Sequence, residues 1–365
     1  MTVRGTILFL LAVAGALRAG ETKEAPAPMP RPTVGAIRWD AWSGGPVTAQ
    51  VERTLGHPPH RFRLPWFART VEAEPGVEIR GDTDAVMGRE IEWAAEAGID
   101  YWAFLEYPED GEMSRALRRY LAHPQRERVR FCMILHSQVS CAPEAWPAVL
   151  QRYLKLFREP GYLRVLDGRP LLYLFKGGPV DAEPVRTRFA ELRAAARQAN
   201  LGDPYIAYMG FNPAADWEKA RQMGADAISA YAYANTGTKI FARFSENLER
   251  DYWNRARDLQ APCIPLVSTG WDKRPRMDHP VSWEKDHDYH RTRTYVETAQ
   301  PEEIAAHLKR ALAWAAQNPQ AMPARTLIVY SWNEYDEGGW IAPTLGAGGK
   351  PDDARIRAFK SVLRP

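Results

Sequence analysis

The chain has 365 residues, 45% of them hydrophobic and 25% charged, and its formal net charge is +3. This balance is ordinary for a globular protein, and the length suits one α/β barrel or two medium-sized domains. Because no run of five or more basic residues occurs, we do not expect nucleic acid as a partner.

The N-terminal segment predicts export. Arg4 precedes a short apolar run at 7–17, and a small residue follows at Ala19, so a secretory signal peptide is predicted over residues 1–19. The run is shorter than the roughly 20 residues that a membrane span needs, although an uncleaved anchor is the alternative. Residues 20–32 are rich in proline and predict a disordered linker. We therefore expect a secreted or periplasmic protein.

From Thr33 onward, strand-like and helix-like segments alternate. Apolar runs of strand length occupy 33–39, 99–105, 128–135, 170–175, 204–210, 226–233, 261–269 and 324–332. Helical patterns occupy 83–98, 113–122, 143–158, 184–199, 214–223, 243–258, 301–316 and 352–362. Thr83 or Asp82 is predicted to cap the first helix, and Gly98 to end it. The long segments at about 43–80 and 270–299 are expected to be loop insertions.

Eight units of strand and helix predict a parallel sheet covered by helices. We therefore predict a single α/β domain over residues 33–365, a (β/α)8 or TIM barrel with long loops after strands 1 and 7. An open, doubly wound sheet is the alternative, but no glycine-rich phosphate loop follows the first strand.

The three cysteines, Cys132, Cys141 and Cys263, are odd in number and cannot form a fully paired framework. Cys132 lies in a strand-like run, where a free cysteine is commonly buried. We predict burial for Cys132 and Cys263, and a bridge between Cys132 and Cys141 stays open.

The residues just past the predicted strands matter most, because the active sites of such barrels form at the carboxyl ends of the strands. Each of these residues on its own is equally well explained by a purely structural role. Together they are acids, amides, bases and aromatics, a set that suits a carbohydrate. The predicted binding residues are Trp39, Asp40, Trp42, Glu106, His136, Lys176, Asn212, Tyr231, Tyr233, Trp271, Asp272, Arg274, Trp332, Asn333 and Trp340.

Glu334 and Glu337 follow the eighth strand and form the best candidate pair of catalytic carboxylates. Hydrolysis of a glycosidic bond uses two carboxyl groups, one as proton donor and one as base or nucleophile. A spacing of three can place both side chains on the same side of a turn, and the glycines that follow permit a tight backbone path. Glu106 and Asp272 are competing partners for Glu334, and a solvated turn with incidental acids is the alternative without chemistry.

The stretch SWNEYDEGGWIAP resembles the WNEWHEG…P signature of glycoside hydrolase family 99 and of the related WbsX-like proteins. It is similar, more distantly, to the family 71 α-glucanases. VSTGWDKRPR resembles the GWD…PR segment of the WbsX-like group, and AGIDYWAFLEY resembles the GID segment of both. The resemblance covers about residues 35–345, and the motif after strand eight is its most specific part.

This resemblance implies a (β/α)8 barrel that cleaves α-linked sugars, typically mannosides, with retention of configuration. It implies that Glu334 assists the sugar's own 2-hydroxyl, which attacks the anomeric carbon to give a 1,2-anhydro sugar. Glu337 then matches the acid and later base, and Tyr231 matches a tyrosine near the anomeric centre. Tyr335 and Asp336 replace the Trp-His pair of the family, so the sugar that is recognised stays open.

Two other functions remain. Residues 276–290 are rich in Asp and His and suggest a metal-dependent hydrolase or deacetylase, although no His-x-His or HExxH spacing occurs. Its candidate ligands are Asp278, His279, Asp286, His287, Asp288 and His290. The second alternative is a secreted barrel that binds glycan without cleaving it. A glycosyltransferase is disfavoured, because a nucleotide-sugar site is not evident in the sequence. We expect a monomer acting on carbohydrate, without cofactor or metal and without a membrane partner once the signal is cleaved.

Overall fold

The computed structural model describes residue 1 and residues 30–175, 181–234 and 237–364. It divides into two compact units, Met1–Arg31 and Pro32–Pro365, and the elements described below belong to the second. The predicted signal peptide and most of the predicted linker lie outside the described residues, as does Lys176.

Eight parallel strands form a barrel. In chain order they are β1 Thr33–Arg38, β2 Tyr101–Leu105, β3 Arg130–Leu135, β4 Arg169–Phe175, β5 Tyr205–Gly210, β6 Ala227–Ala230, β7 Leu266–Ser268 and β8 Thr326–Tyr330. Hydrogen bonds connect them in the order β7-β8-β1-β2-β3-β4-β5-β6, and a parallel bridge between Ile228 and Cys263 joins the two ends. The chain thus forms the (β/α)8 barrel that its sequence predicts.

The helices lie between the strands. They are α1 Pro46–Gly56, α2 Asp84–Ala97, α3 Arg115–Ala122, α4 Trp146–Phe157, α5 Ala182–Gln198, α6 Pro213–Met223, α7 Phe241–Leu248, α8 Arg255–Asp258, α9 Arg274–Asp278, α10 Tyr289–Thr292, α11 Pro301–Gln317 and α12 Ala354–Leu363. The eight predicted helices are confirmed, with a π-helical turn, Glu249–Asn254, between α7 and α8. Thr83 caps α2 by accepting from the Val86 N–H, and Gly98 ends it with a φ of 83°.

The two long insertions contain helices that their sequence pattern did not predict. The insertion after β1 holds α1 and the 3-10 turn Pro58–Arg63, and the insertion after β7 holds α9 and α10. No side chain caps α1, and the proline at its start, Pro46, is the signal that its sequence offers. The insertions touch each other, since the Ser282 N–H donates to Gln50 Oε1 at 2.7 Å. Both follow strand ends, so they build up the rim at the carboxyl end of the barrel.

The barrel core is made of large side chains from the strands. Trp102 and Tyr173 are fully buried, and each such side chain contributes about 1.5–3 kcal/mol relative to exposure. Cys132 and Cys263 are buried as predicted, and they and Cys141 are free thiols. Within the described residues, no helix combines the length and the apolar character that crossing a bilayer requires.

Candidate active site

A cleft of about 420 Å³ opens at the carboxyl end of the barrel, and every strand or the loop that follows it contributes to its wall. Six predicted site residues line it: Trp39, His136, Tyr231, Trp271, Glu334 and Glu337. The other lining residues are Leu105, Phe175, Phe211, Ala232, Ala234, Lys273, Trp283, Glu284 and His287. Aromatic rings beside carboxylates and few other polar groups form a wall that suits a sugar.

Glu334 lies in a short turn that begins directly after β8. It is almost wholly buried, and its Oε1 accepts a hydrogen bond from the Tyr231 hydroxyl at 2.5 Å. The Tyr231 ring stacks on Phe175 with centroids 4.2 Å apart, which fixes the direction of that hydroxyl. The Glu334 N–H donates to Ser331 Oγ at 2.8 Å. Both ends of the residue are therefore held in place.

Glu337 lies one 3-10 turn further along and is surrounded by cations. Its Oε1 accepts from Arg276 Nη1 at 2.5 Å, and its Oε2 lies 3.0 Å from Lys273 Nζ. Arg276 also binds Asp336 and Glu284 at 2.7 and 2.8 Å. This buried network gives both oxygens of Glu337 a cationic partner.

The pKa values of the two carboxyl groups are shifted in opposite directions. Burial, together with the charge of Glu337, raises the pKa of Glu334 well above its ordinary value. Burial opposes the ionisation of Glu337 as well, but Arg276 and Lys273 outweigh it and lower the pKa of Glu337. When the pair holds one proton, Glu334 therefore retains it more strongly than Glu337 does. Two titratable groups whose environments push their pKa values apart are the usual mark of an acid–base pair.

Tyr330, the last residue of β8, connects the pair. Its hydroxyl lies 2.8 Å from Glu337 Oε2 and 3.3 Å from Glu334 Oε2. Burial and the two nearby carboxyl groups raise the pKa of Tyr330 well above its ordinary value, so the hydroxyl keeps its proton. It can donate to Glu337 while accepting from protonated Glu334.

Asn333 ties this turn to the end of β1. Its Oδ1 accepts from the Trp39 N–H at 3.0 Å, and its Nδ2 donates to Asp40 Oδ1 at 3.0 Å. Asp40 in turn binds Arg38 at 2.7 Å. These contacts set the position of Trp39 in the cleft wall and of the neighbouring Glu334.

Gly338 and Gly339 do permit the tight path that the sequence suggested. Gly338 has a φ of 82°, and a Cβ there would lie 2.5 Å from the Asp272 backbone nitrogen. That nitrogen donates to the Glu337 carbonyl at 2.8 Å. A side chain at Gly338 would therefore displace the segment that carries Glu337.

Gly338→Ala is accordingly expected to destabilise the fold by about 1–3 kcal/mol more than a strain-matched control, and to lower any activity that depends on Glu337. Gly348→Ala is that control, because Gly348 also has a positive φ, 66°, but its Cβ would meet nothing within 4 Å. Denaturant unfolding of both variants measures the difference. An equal loss of unfolding free energy in the two variants would contradict a steric clash between a Cβ at Gly338 and the Asp272 backbone.

Seven predicted binding residues are buried by protein and do not line the cleft: Asp40, Trp42, Glu106, Asp272, Trp332, Asn333 and Trp340. Glu106, for example, accepts from the Tyr153 hydroxyl at 2.9 Å and from the His136 N–H at 3.0 Å. Protein groups already satisfy or pack against these side chains, so sugar contact by them stays a prediction that the unliganded cleft does not support. They support the cleft from behind.

Arg274 belongs with this supporting group. It is half-buried and binds both oxygens of Asp272, at 2.8 and 2.7 Å, and Asp272 also accepts from Arg63. Burial alone would raise the pKa of Asp272, but the two arginines reverse this and lower it. Asp272 is thus a fixed anion that holds the two insertions together, and it does not compete as partner for Glu334.

Asn212 and Tyr233 line an adjoining pocket of about 300 Å³ that shares Phe211 and Ala234 with the main cleft. Asn212 caps α6, and the Tyr233 hydroxyl donates to Asp251 at 2.9 Å. The two pockets give the protein an extended binding surface on either side of Phe211, which is 54% exposed.

Among the residues that sequence reasoning missed, four shape the pair or the aromatic wall beside it: Lys273, Arg276, Tyr330 and Trp283. The signal for two of them was available, because Lys273 and Arg276 lie in the stretch VSTGWDKRPR that carried part of the family resemblance. Trp283 lies in the insertion after β7, and its ring centroid is 6.0 Å from that of Trp39.

The metal site considered for residues 276–290 does not form as a unit. His287 lines the cleft, Asp288 pairs with Arg291, and His290 hydrogen-bonds the Glu284 carbonyl. Among the described residues, the one group of three His, Cys or acidic side chains close enough to hold an ion uses only Asp278 from this stretch. That group does not line the cleft.

Fold and site together define a (β/α)8-barrel protein with a buried carboxylate pair at the carboxyl ends of its strands. The chain belongs to the WbsX family, because the family model described as glycosyltransferase WbsX matches residues 127–350, more than half of the sequence. No curated protein matches the chain.

Solved structures share the fold at low sequence identity. A protein described as glycoside hydrolase-like is 16% identical with a TM-score of 0.58, and the match covers 93% of this chain and 98% of that one. The GH99 endo-α-mannosidase from Bacteroides thetaiotaomicron, in complex with BIS-TRIS-propane, is 15% identical with a TM-score of 0.55, covering 92% and 98%. A second structure of that enzyme gives 14% and 0.53, covering 91% and 97%. The predicted resemblance to family 99 and WbsX-like barrels is thereby confirmed, while activity has to be argued from the site itself.

Proposed function

We propose that this protein is a glycoside hydrolase that cleaves α-linked, mannoside-like poly- or oligosaccharides within the chain. The observation that carries the proposal is the pair Glu334 and Glu337, which lines the cleft with opposite pKa shifts. Such a pair supplies the proton donor and the base that glycoside hydrolysis requires. The adjoining pocket beyond Phe211 supports endo action, since it offers room for further sugar units.

In the proposed reaction Glu334 takes the proton of the sugar 2-hydroxyl, and the freed oxygen attacks the anomeric carbon. The bond to the leaving oxygen breaks, and Glu337 gives that oxygen its proton. Water then opens the 1,2-anhydro ring at the anomeric carbon, with Glu337 taking a proton from the water and Glu334 returning one to O2. Two inversions at the same carbon give a retained product.

These roles need the shared proton on Glu337 when reaction begins, whereas the resting site holds it on Glu334. Tyr330 provides the path, because its hydroxyl contacts both carboxyl groups. A sugar 2-hydroxyl that donates to Glu334 and a glycosidic oxygen that accepts from Glu337 both favour the transferred state. The opposite assignment, with Glu334 as the acid, follows if the proton stays where the resting site holds it.

Tyr330→Phe is expected to lower kcat about 10- to 100-fold, which is the worth of a hydrogen bond to a charged group, with little change in KM. The acid limb of the pH–rate profile should move to higher pH, because the Tyr330 hydroxyl helps to lower the pKa of Glu337. Tyr335→Phe is the matched control, since Tyr335 is equally buried but donates to the Pro343 carbonyl. Equal profiles for the two variants would contradict a role for Tyr330 in the pair.

The name of the family model raises transfer from a nucleotide sugar as a second function. The cleft does not favour it, because a sugar diphosphate needs free cations or a metal, and Lys273 and Arg276 are each paired with carboxylates. We also propose that residues 1–19 direct the protein to the periplasm or beyond, where nucleotide sugars are absent.

The proposal is tested by screening hydrolysis of a panel of α-linked polysaccharides, with a Glu334→Gln, Glu337→Gln double variant as control. Release of reducing ends by the wild type alone supports it. Binding of several glycans with no cleavage of any would make the protein a glycan-binding barrel, and transfer from a nucleotide sugar would make it a transferase.

A further inference from the structure

Three side chains outside the cleft converge where the two insertions meet. His57 follows α1, His60 lies in the turn Pro58–Arg63, and Asp278 ends α9. One ligand atom of each lies within 4.8 Å of the others. They line neither the cleft nor the adjoining pocket, so their grouping needs an explanation other than sugar binding.

The polar atoms of this group are incompletely satisfied by protein. His60 Nε2 and Asp278 Oδ2 are 2.9 Å apart, but the buried Nδ1 of His57 has no hydrogen-bond partner among the described residues. A buried imidazole nitrogen without a partner costs about 1–3 kcal/mol. A ligand that accepts its lone pair would remove that cost.

We propose that His57, His60 and Asp278 bind a divalent transition-metal ion, with zinc as the best fit. Two imidazole nitrogens and one carboxylate oxygen are a donor set that Zn²⁺ accepts, with a fourth position for water or another ligand. The exposed ring of His279 has its centroid 5.1 Å from that of His57, so His279 is the neighbouring candidate for the fourth position.

Metal binding here is a simple exchange. The metal replaces the proton between His60 Nε2 and Asp278 Oδ2: in a neutral imidazole that proton moves to Nδ1, and in an imidazolium it leaves to solvent. The other oxygen of Asp278 stays paired with Arg293 at 2.9 Å, which orients the carboxylate. No electron transfer or co-reactant is involved.

The ion would fasten together the segments that carry the cations of the site. Arg276 lies two residues before Asp278 and binds Glu337, while Arg63 lies three residues after His60 and binds Asp272. The role is therefore structural, and it differs from the metal-dependent hydrolysis considered for residues 276–290. The binding stands whether or not the protein cleaves glycans.

The test uses the full chain, stripped with chelator and then titrated with Zn²⁺ while bound metal and thermal unfolding are measured. One equivalent should bind and raise the unfolding midpoint by several degrees. His57→Ala should bind at least tenfold more weakly while folding normally, because the buried Nδ1 of His57 has no protein partner to lose. Asp278→Asn should also lose binding, although it preserves the shape of the site.

The control is His123→Ala, which removes a histidine that belongs to no such group and should leave binding unchanged. If the wild type binds no more zinc than His57→Ala and Asp278→Asn do, or if bound zinc leaves its unfolding midpoint unchanged, the proposal is overturned.

Discussion

Glu337→Gln and Glu334→Gln are each expected to lower kcat for glycan hydrolysis by about 10²- to 10⁴-fold, the range that a positioned acid or base contributes. The loss should appear in kcat more than in KM, because both side chains act on the reacting atoms. Steady-state kinetics on the glycan identified by screening would measure it. Variants that turn over like the wild type would contradict a catalytic role for the pair.

Substrates with different leaving groups distinguish the proposed proton donor, Glu337, from the proposed base, Glu334. A substrate with an activated aryl leaving group needs no proton donor, so Glu337→Gln should recover much of its rate on that substrate, whereas Glu334→Gln should not. The reverse pattern would make Glu334 the acid, in line with the resting position of the proton.

Thermal unfolding gives a check that needs no substrate. The raised pKa of Glu334 means that its ionised form destabilises the fold as pH rises through that pKa. Gln removes this cost, so Glu334→Gln should unfold at the same temperature as the wild type or higher. The lowered pKa of Glu337 means that its charge stabilises the fold above the ordinary carboxyl pKa, so Glu337→Gln should unfold lower at neutral pH.

Arg276→Met is expected to cost about 3–5 kcal/mol of stability at neutral pH, because it leaves buried carboxylates without their cation. Arg276 binds Asp336, Glu337 and Glu284, and within the described residues Asp336 has no other cationic partner. Denaturant unfolding measures the loss. Arg274→Met is the control with a small effect, since its partner Asp272 keeps Arg63.

Two further comparisons identify the source of that loss. Asp336→Asn should recover part of the stability in the Arg276→Met background but not in the wild type. Burial already raises the pKa of Asp336 while Arg276 holds it down. Without the arginine the pKa rises further, so the stability deficit should shrink as pH falls. A deficit that is independent of pH and of Asp336 would point to lost packing instead.

The barrel was predictable because its signals are local. Eight apolar runs and caps such as Thr83 identify the elements, and their alternation specifies a parallel sheet. The ends of β6 were not predictable, since the apolar run continues through Tyr231 to Tyr233 while the strand ends at Ala230. Those residues leave the sheet to line the cleft, and residue type alone does not say where pairing stops.

The position of the carboxylate pair was also predictable from a local signal, because Glu334 and Glu337 lie close together in the sequence. Their environment was not. Arg276 binds Glu337 although the two residues are 61 positions apart in the sequence. Tyr330 was predicted only as a strand residue, because the direction of its side chain depends on how β8 enters the turn. Asp40 and Asn333 have the residue types of sugar contacts, but successive side chains at a strand end face opposite sides, and these two face protein.

The most direct test of the central claim is proton NMR of the first product released from an α-linked mannan-type glycan, before mutarotation. We expect the α anomer from the wild type, from a reaction that both Gln variants abolish. An initial β anomer would contradict the anhydro-sugar mechanism, and turnover by the Gln variants at the wild-type rate would contradict the assignment of the site.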